Sequence, residues 1–187
     1  TGTAIDTRSK SAADALWDGT SLYLVSAVTP GSSGDTNIKV YRYSYNSGAK
    51  TYSLDSGFPV NVISRSIETV VMDKDSQGIL WITYTYTNSS NGRSVFVSHT
   101  TSDDWTWVTP YVLPTTGANT LKSDDISTLV SFNGKVGVMW SNQNENSVYF
   151  AYHVDGTADN QWTLKTALSG PRYADDHLNI KALQEDS

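Results

Sequence analysis

Two carboxylates and an imidazole stand side by side at Asp175-Asp176-His177, with Arg172 and Tyr173 just ahead of them. On an extended strand successive side chains point to opposite faces, so Asp175 and His177 project together while Asp176 points away. A ligand held by His177 is then shared with one of the two aspartates and not with both. Such a group can serve as a general acid or hold a cation, and the Arg172 guanidinium can grip a carboxylate or other anionic group in a bidentate fork. Comparable sets occur upstream: Arg8 with Asp14, Arg65 with Glu68, and Lys122 with Asp124 and Asp125. Asp175, Asp176 and Glu68 are therefore the candidate acid/base carboxyls. Arg65, Arg172, Tyr173, His177, Asp124 and Asp125 are the candidate substrate contacts. A structural reading competes with this one, because an aspartate ahead of a strand fastens its own turn, and acids and arginines satisfy each other.

Other chemistries lack their residues. There is no cysteine, hence no thiolate ligand and no disulfide. His99 and His153 are isolated, and a lone histidine is more often hydrogen-bonded than ligating. The run Asp73-Lys74-Asp75-Ser76-Gln77-Gly78 resembles the start of an acidic calcium loop, but Tyr84 occupies the position where such a loop needs its glutamate. It reads more simply as a hairpin turn. No phosphate loop, zinc-protease pair or nucleophile elbow occurs, so neither a metal nor a cofactor is expected.

The net charge is −6, and no basic run exceeds two residues, which argues against nucleic acid as a partner. The longest apolar runs, such as Gly78 to Ile82, are strand-length and far below the roughly 20 residues of a membrane helix. Hence no membrane partner is expected. The segment Thr1-Gly2-Thr3-Ala4-Ile5-Asp6 shows neither the charged nor the apolar region of a signal peptide. Ser, Thr, Asn, Tyr and Trp are abundant while Lys and Glu are scarce, a balance common in secreted carbohydrate-active proteins. An extracellular or periplasmic location and a glycan ligand are the matching expectations.

The elements that must position these residues are strands. Ordered segments alternate with period two and are rich in Val, Ile, Thr, Tyr and Trp, and no helix is predicted. The pairs Val40-Tyr41, Val95-Phe96 and Val148-Tyr149, and the aromatics Tyr52, Trp107 and Trp162, recur about every 55 residues, a period that marks a repeat architecture. Turn signals at Asp18-Gly19, Ser76-Gln77-Gly78 and Asn133-Gly134 set the hairpins. They predict strands at 12–17, 21–28, 37–45 and 50–55; at 67–73, 79–86, 93–99 and 106–112; and at 126–132, 136–141, 147–153 and 161–167. A further innermost strand is predicted at 177–184.

Twisted four-stranded sheets with two apolar faces must stack on neighbours, which a β-propeller achieves around a central axis. The whole chain, 1–187, then forms one partial propeller domain of three blades plus an extra innermost strand. Its linkers between blades carry Pro59, Pro114 and Pro171. Propellers typically close with four to eight blades, so blades from the parent chain or from a second copy are expected partners. The end at Leu183 to Ser187, where earlier repeats enter a hairpin, fits that expectation. A two-sheet sandwich suits short strands and tight turns as well.

The turns between third and fourth strands read YNSGAKTY, TSDDWTW and DGTADNQWT. They resemble degenerate forms of the Asp-box, Ser-x-Asp-x-Gly-x-Thr-Trp, of bacterial sialidase-like (BNR-type) β-propellers, although Ser102 to Trp107 lacks the glycine and is shortened. The resemblance implies that the boxes are structural and lie away from the active site, with Trp107, Trp162 and Tyr52 wedged between sheets. Trp17, Trp81 and Trp140 are read the same way. Trp105 and Tyr173, carried on loops, are the better sugar platforms. Sialidase chemistry in that family uses three arginines, a tyrosine-glutamate nucleophile pair and an aspartate acid/base. Arg8, Arg65 and Arg172 suit the arginine set, but Glu145 and Glu185 lie in loops and Glu68 has no evident tyrosine mate, so sialidase activity is not expected of this chain alone. The expected function is carbohydrate recognition by a sialidase-like propeller segment of a secreted microbial protein. Two alternatives stay open: a glycoside hydrolase completed by missing blades, and a non-catalytic interaction scaffold.

Overall fold

The computed structural model describes residues 4–88, 92–175 and 177–182, and among them the chain is all-β, with thirteen strands and no helix. The first sheet takes β1 (Ser11–Trp17), β2 (Ser21–Val28), β3 (Asn37–Asn46) and β4 (Thr51–Leu54) in sequential antiparallel order, and β5 (Val60–Ser64) also pairs with β3. The second comprises β6 (Val70–Lys74), β7 (Leu80–Asn88), β8 (Gly92–His99) and β9 (Tyr111–Val112). The third comprises β10 (Ser127–Phe132), β11 (Lys135–Asn142), β12 (Ser147–Val154) and β13 (Trp162–Ser169).

The turns follow from their residues. Asp18 accepts from the Thr20 and Ser21 amides at 2.9 and 2.7 Å while Gly19 takes φ 95°, closing the β1–β2 hairpin. Asn133 and Gly134, both at positive φ, make the two-residue turn between β10 and β11 that suits the twist of the strands.

Two expected strands come out differently, and one unexpected strand appears. The run 106–112 shrinks to a bridge between Thr100 and Trp107 and a short pairing of Tyr111 with Val97, because Pro110 between them has no amide to give the ladder. Residues 177–182 of the expected strand 177–184 join no ladder, and 183–187 lie outside the described residues. The additional strand is instead β5. β4 covers β3 only from Tyr43 to Asn46, and Val60 to Ser64 pairs with the half left over, Asn37 to Val40.

The second sheet is packed on both sides. β6 lies against β1 and β2, and β10 lies against β6 and β7. Leu80, Ile82 and Tyr84 of β7 enter a core shared with Val25, Ile38 and Val40 of the first sheet. Trp81, one step along, turns into the other core with Val136, Val138 and Trp140 of the third. A strand buried on both faces needs apolar or satisfied side chains at nearly every position, and each fully buried Leu, Ile or Val contributes about 1.5–3 kcal/mol.

Aromatics at equivalent positions then part company. Trp81 and Trp140 are buried, Trp107 packs on the first core and Trp162 on the second. Tyr52 and Trp17, expected as wedges, are instead 50% and 48% exposed and meet each other edge to face. Their sheet has a packed neighbour on one side only among the described residues, so the wedge position opens to solvent.

Carboxylates stitch the first strands together. Asp14 of β1 accepts from the Met72 amide of β6 at 2.9 Å, and Asp73 of β6 accepts from the Ser131 amide of β10 at 2.7 Å, each across 58 positions of sequence. An edge strand's unpaired amides are thereby satisfied by the neighbouring sheet. Phe132 follows Ser131 as Asp73 follows Met72, so the third sheet carries an aromatic ring where the other two carry an acid. Burial pushes the Asp73 carboxyl above its ordinary range against the pull of its amide donors, and the nearby Asp14 adds to the rise.

Replacing Asp73 by Ala leaves the Ser131 amide without its acceptor. A loss of about 1–3 kcal/mol in chemical denaturation is expected, and an unchanged midpoint would mean that the amide finds another partner.

Candidate functional site

The antiparallel order places the β2–β3, β7–β8 and β11–β12 connections at one end of the molecule, together with the approaches to β1, β6 and β10. The predicted polar residues gather at this end, and most already have structural employment. Arg8 clasps Asp6 through Nε at 3.0 Å and Nη2 at 2.7 Å, and also donates to the Asn37 carbonyl. Ser26 donates its hydroxyl to the same carboxylate. Burial pushes the Asp6 carboxyl up, but the hydrogen bonds from Arg8 and Ser26 outweigh it and bring it from 3.8 down to about 2. Asp125 is fully buried and accepts from the Lys122 amide at 2.7 Å and the Gln143 amide at 3.2 Å, which ties the entry of β10 to the β11–β12 turn. Asp124 beside it is exposed.

Glu68 stands with an arginine that the sequence reading passed over. Arg93, at the start of β8, approaches it at 3.9 Å and is itself only 13% exposed. Its Nη2 donates to Thr85 Oγ1 at 2.9 Å, and its Nε is buried with no hydrogen-bond partner among the described residues. Burial lowers its pKa, with Glu68, Asp125 and Asp124 acting the other way. Arg65 lays its guanidinium over the Tyr86 ring at 4.8 Å and donates to the Ser64 carbonyl.

The segment after β13 keeps Asp175 and His177 within 3.7 Å of each other, on side chains that are 74% and 86% exposed. They share a side as expected, though on irregular chain. Asp176 lies outside the described residues. Arg172 is exposed with φ 65°, and Tyr173, 58% exposed, folds back over Gly170, where a Cβ would come within 2.7 Å of its ring.

A tyrosine-glutamate pair does exist. Tyr149 of β12 donates its hydroxyl to Glu145 at 2.5 Å, and Thr120 donates to the other carboxylate oxygen at 2.8 Å. The Tyr149 hydrogen bond, then that of Thr120, holds the Glu145 carboxyl below its ordinary range, and the same bond to Glu145 raises the Tyr149 hydroxyl. The Tyr149 ring stacks on Trp140, whose indole donates to the Gly117 carbonyl. Gly117 is required there: its φ is 78°, and a Cβ would sit 2.7 Å from the Tyr149 ring. Beside the pair opens a depression of about 550 Å³ lined by Leu113, Pro114, Thr115, Gly117, Thr120 and Glu145. The Thr115 hydroxyl is buried without a hydrogen-bond partner among the described residues. A phenol hydrogen-bonded to an oriented carboxylate is the arrangement in which the carboxylate can take the proton as the oxygen attacks. The two residues stand four apart around the β11–β12 turn, and that spacing was the available signal.

At the opposite end, Asp103 fastens the shortened box by accepting from the Trp105 amide at 3.0 Å and the Thr106 hydroxyl at 2.8 Å. Trp105 projects from this turn, 54% exposed. His99 meets Thr100 O and Asp159, His153 meets Gln161 O, and both rings pack on Trp81. No group of three metal-ligating side chains forms among the described residues.

No family model matches the chain, and no curated protein matches it.

Because the Asp6 carboxyl titrates lower in the fold than in the open chain, its clasp stabilises fully above the ordinary value of 3.8 and loses its contribution as pH falls towards 2. A melting-temperature series should show a decline across this window that Asp6→Asn makes shallower. An identical slope in the variant would assign the acid sensitivity to other carboxylates.

Proposed function

We propose that the chain is a carbohydrate-recognising segment of a sialidase-like β-propeller from a secreted microbial protein, its ring completed by further sheets of the parent chain or by a second copy. The radial arrangement is supported by first strands that lie side by side in sequence order, β1 on β6 on β10, with a middle sheet buried on both faces. A two-sheet sandwich has no such middle layer. The observation that carries sugar recognition is the division of the tryptophans. Trp81, Trp107, Trp140 and Trp162 contribute to the cores between sheets, whereas Trp105 is held in solvent by a turn that Asp103 locks. A fixed, exposed indole offers the flat apolar surface on which the C–H face of a pyranose stacks, with polar neighbours to orient it. Tyr173 is a second exposed ring on a loop.

A glycoside hydrolase is the second reading, favoured by the Tyr149–Glu145 pair beside its depression. Here Tyr149 would be the nucleophile and Glu145 the base that takes its proton, with the remaining acid and the arginine clamp drawn in part from sheets beyond the described residues.

On a glycan array the folded chain should retain a subset of glycans, with retention lost on Trp105→Ala or Tyr173→Ala while the melting temperature stays unchanged. A blank array from a ring-complete form overturns the reading. For the second reading, such a ring-complete form should hydrolyse a fluorogenic sialoside, and Tyr149→Phe should lower kcat by about 10² or more. No turnover, or a rate indifferent to the hydroxyl, reduces the pair to a structural link.

A further inference from the structure

We propose that the seam between the first and second sheets, at the end carrying Trp105, is a binding site for one neutral pyranose ring, formed by Trp105, Arg42, Asp104 and Asp55. The proposal rests on the carbohydrate reading and names its site and sugar class. Arg42 comes from β3, Asp55 from just after β4, and Asp104 and Trp105 from the connection between β8 and β9, so both sheets contribute. The Arg42 guanidinium lies over two aromatic rings, 4.8 Å from the centre of Phe58 and 5.9 Å from that of Trp105. Its Nε donates to Asp55 at 2.6 Å and its Nη1 to Asp104 at 2.7 Å, while Nη2 donates to no acceptor among the described residues. Asp104 Oδ2 also accepts from the Tyr23 hydroxyl at 2.7 Å, and its Oδ1 accepts from no donor among the described residues. These side chains are neither buried nor fully wet: Arg42, Asp55 and Asp104 are 24%, 16% and 19% exposed.

The chemistry matches a sugar. A pair of neighbouring hydroxyls needs one acceptor and one donor at fixed separation, and a carboxylate oxygen next to a guanidinium N–H supplies both. The ring's apolar face needs a flat partner, and Trp105 belongs to neither core. Charge selects the class. Lys74 donates to Asp18 at 2.7 Å and to Tyr23, so the network holds two cations, Arg42 and Lys74, against three anions, Asp18, Asp55 and Asp104. A carboxylated sugar would add a further negative charge to a cluster already negative, whereas a neutral one adds none.

The test is a titration of the ¹⁵N-labelled full chain with methyl glycosides of glucose, galactose, mannose and fucose, and separately with N-acetylneuraminic acid, following the indole N–H signals of its six tryptophans. At least one neutral glycoside should shift the Trp105 signal saturably and N-acetylneuraminic acid should not. Affinity should fall about tenfold or more in Trp105→Ala, which touches neither core, and in Asp104→Asn, which keeps the side-chain shape. Saturable shifts elsewhere with Trp105 unmoved, or binding lost in Tyr173→Ala and kept in Trp105→Ala, would sink this site while leaving carbohydrate recognition intact. Preference for the acidic sugar at Trp105 would overturn the neutral class. Silence from every sugar here, together with a blank glycan array, would overturn both.

Discussion

Burial of the second sheet on both faces is the constraint from which the rest of the molecule follows. β7 has no face to give to water, because each side faces a core, so Leu80, Ile82 and Tyr84 alternate with Trp81 and two buried threonines that must find partners. Thr83 shares a hydrogen bond with Ser127 and Thr85 donates to the Asp125 carbonyl, which keeps buried polar groups satisfied between layers. The same stacking brings first strands together and forces an answer for their unpaired edge amides, supplied by Asp14 and Asp73.

Most of this layering is legible from residue order. Period-two alternation and the Asp-Gly and Asn-Gly turns locate the strands of the first and third sheets to within a residue or two, because local twist and turn chemistry decide them. What fails is decided over longer range or by one atom. β5 forms because β4 ends early and leaves half of β3 open, a fact of pairing that no local pattern carries. β9 is short because Pro110 lacks an amide, which the surrounding Trp107, Val108, Tyr111 and Val112 conceal. Tyr52, expected as a wedge, stands exposed instead, because burial at that position depends on whether another sheet lies opposite.

The polar residues were harder to read than the strands. Position relative to a strand start singled out Asp125 and Glu68, yet Asp125 is sealed behind two backbone amides, and Glu68 acquires its character from Arg93 across the sheet. Glu145 reads in the sequence as a loop residue, yet its hairpin delivers Tyr149 to it. In each case a titratable group takes its role from a partner brought in by the fold. The turn-fastening part of Asp103 was readable because it is local, whereas the Arg42 network above it spans two sheets and was not.

The carboxylate links between first strands have a direction. Asp14 reaches forward to β6 and Asp73 forward to β10, so every link has a giving and a receiving member, and the two roles sit on adjacent residues of one strand. A sheet placed in such a series must receive on one flank and give on the other, which forbids turning it end for end even where its apolar faces would tolerate the swap. The polarity of the stack is thus written in two hydrogen bonds, and Phe132 marks the place where an acid no longer carries the link forward.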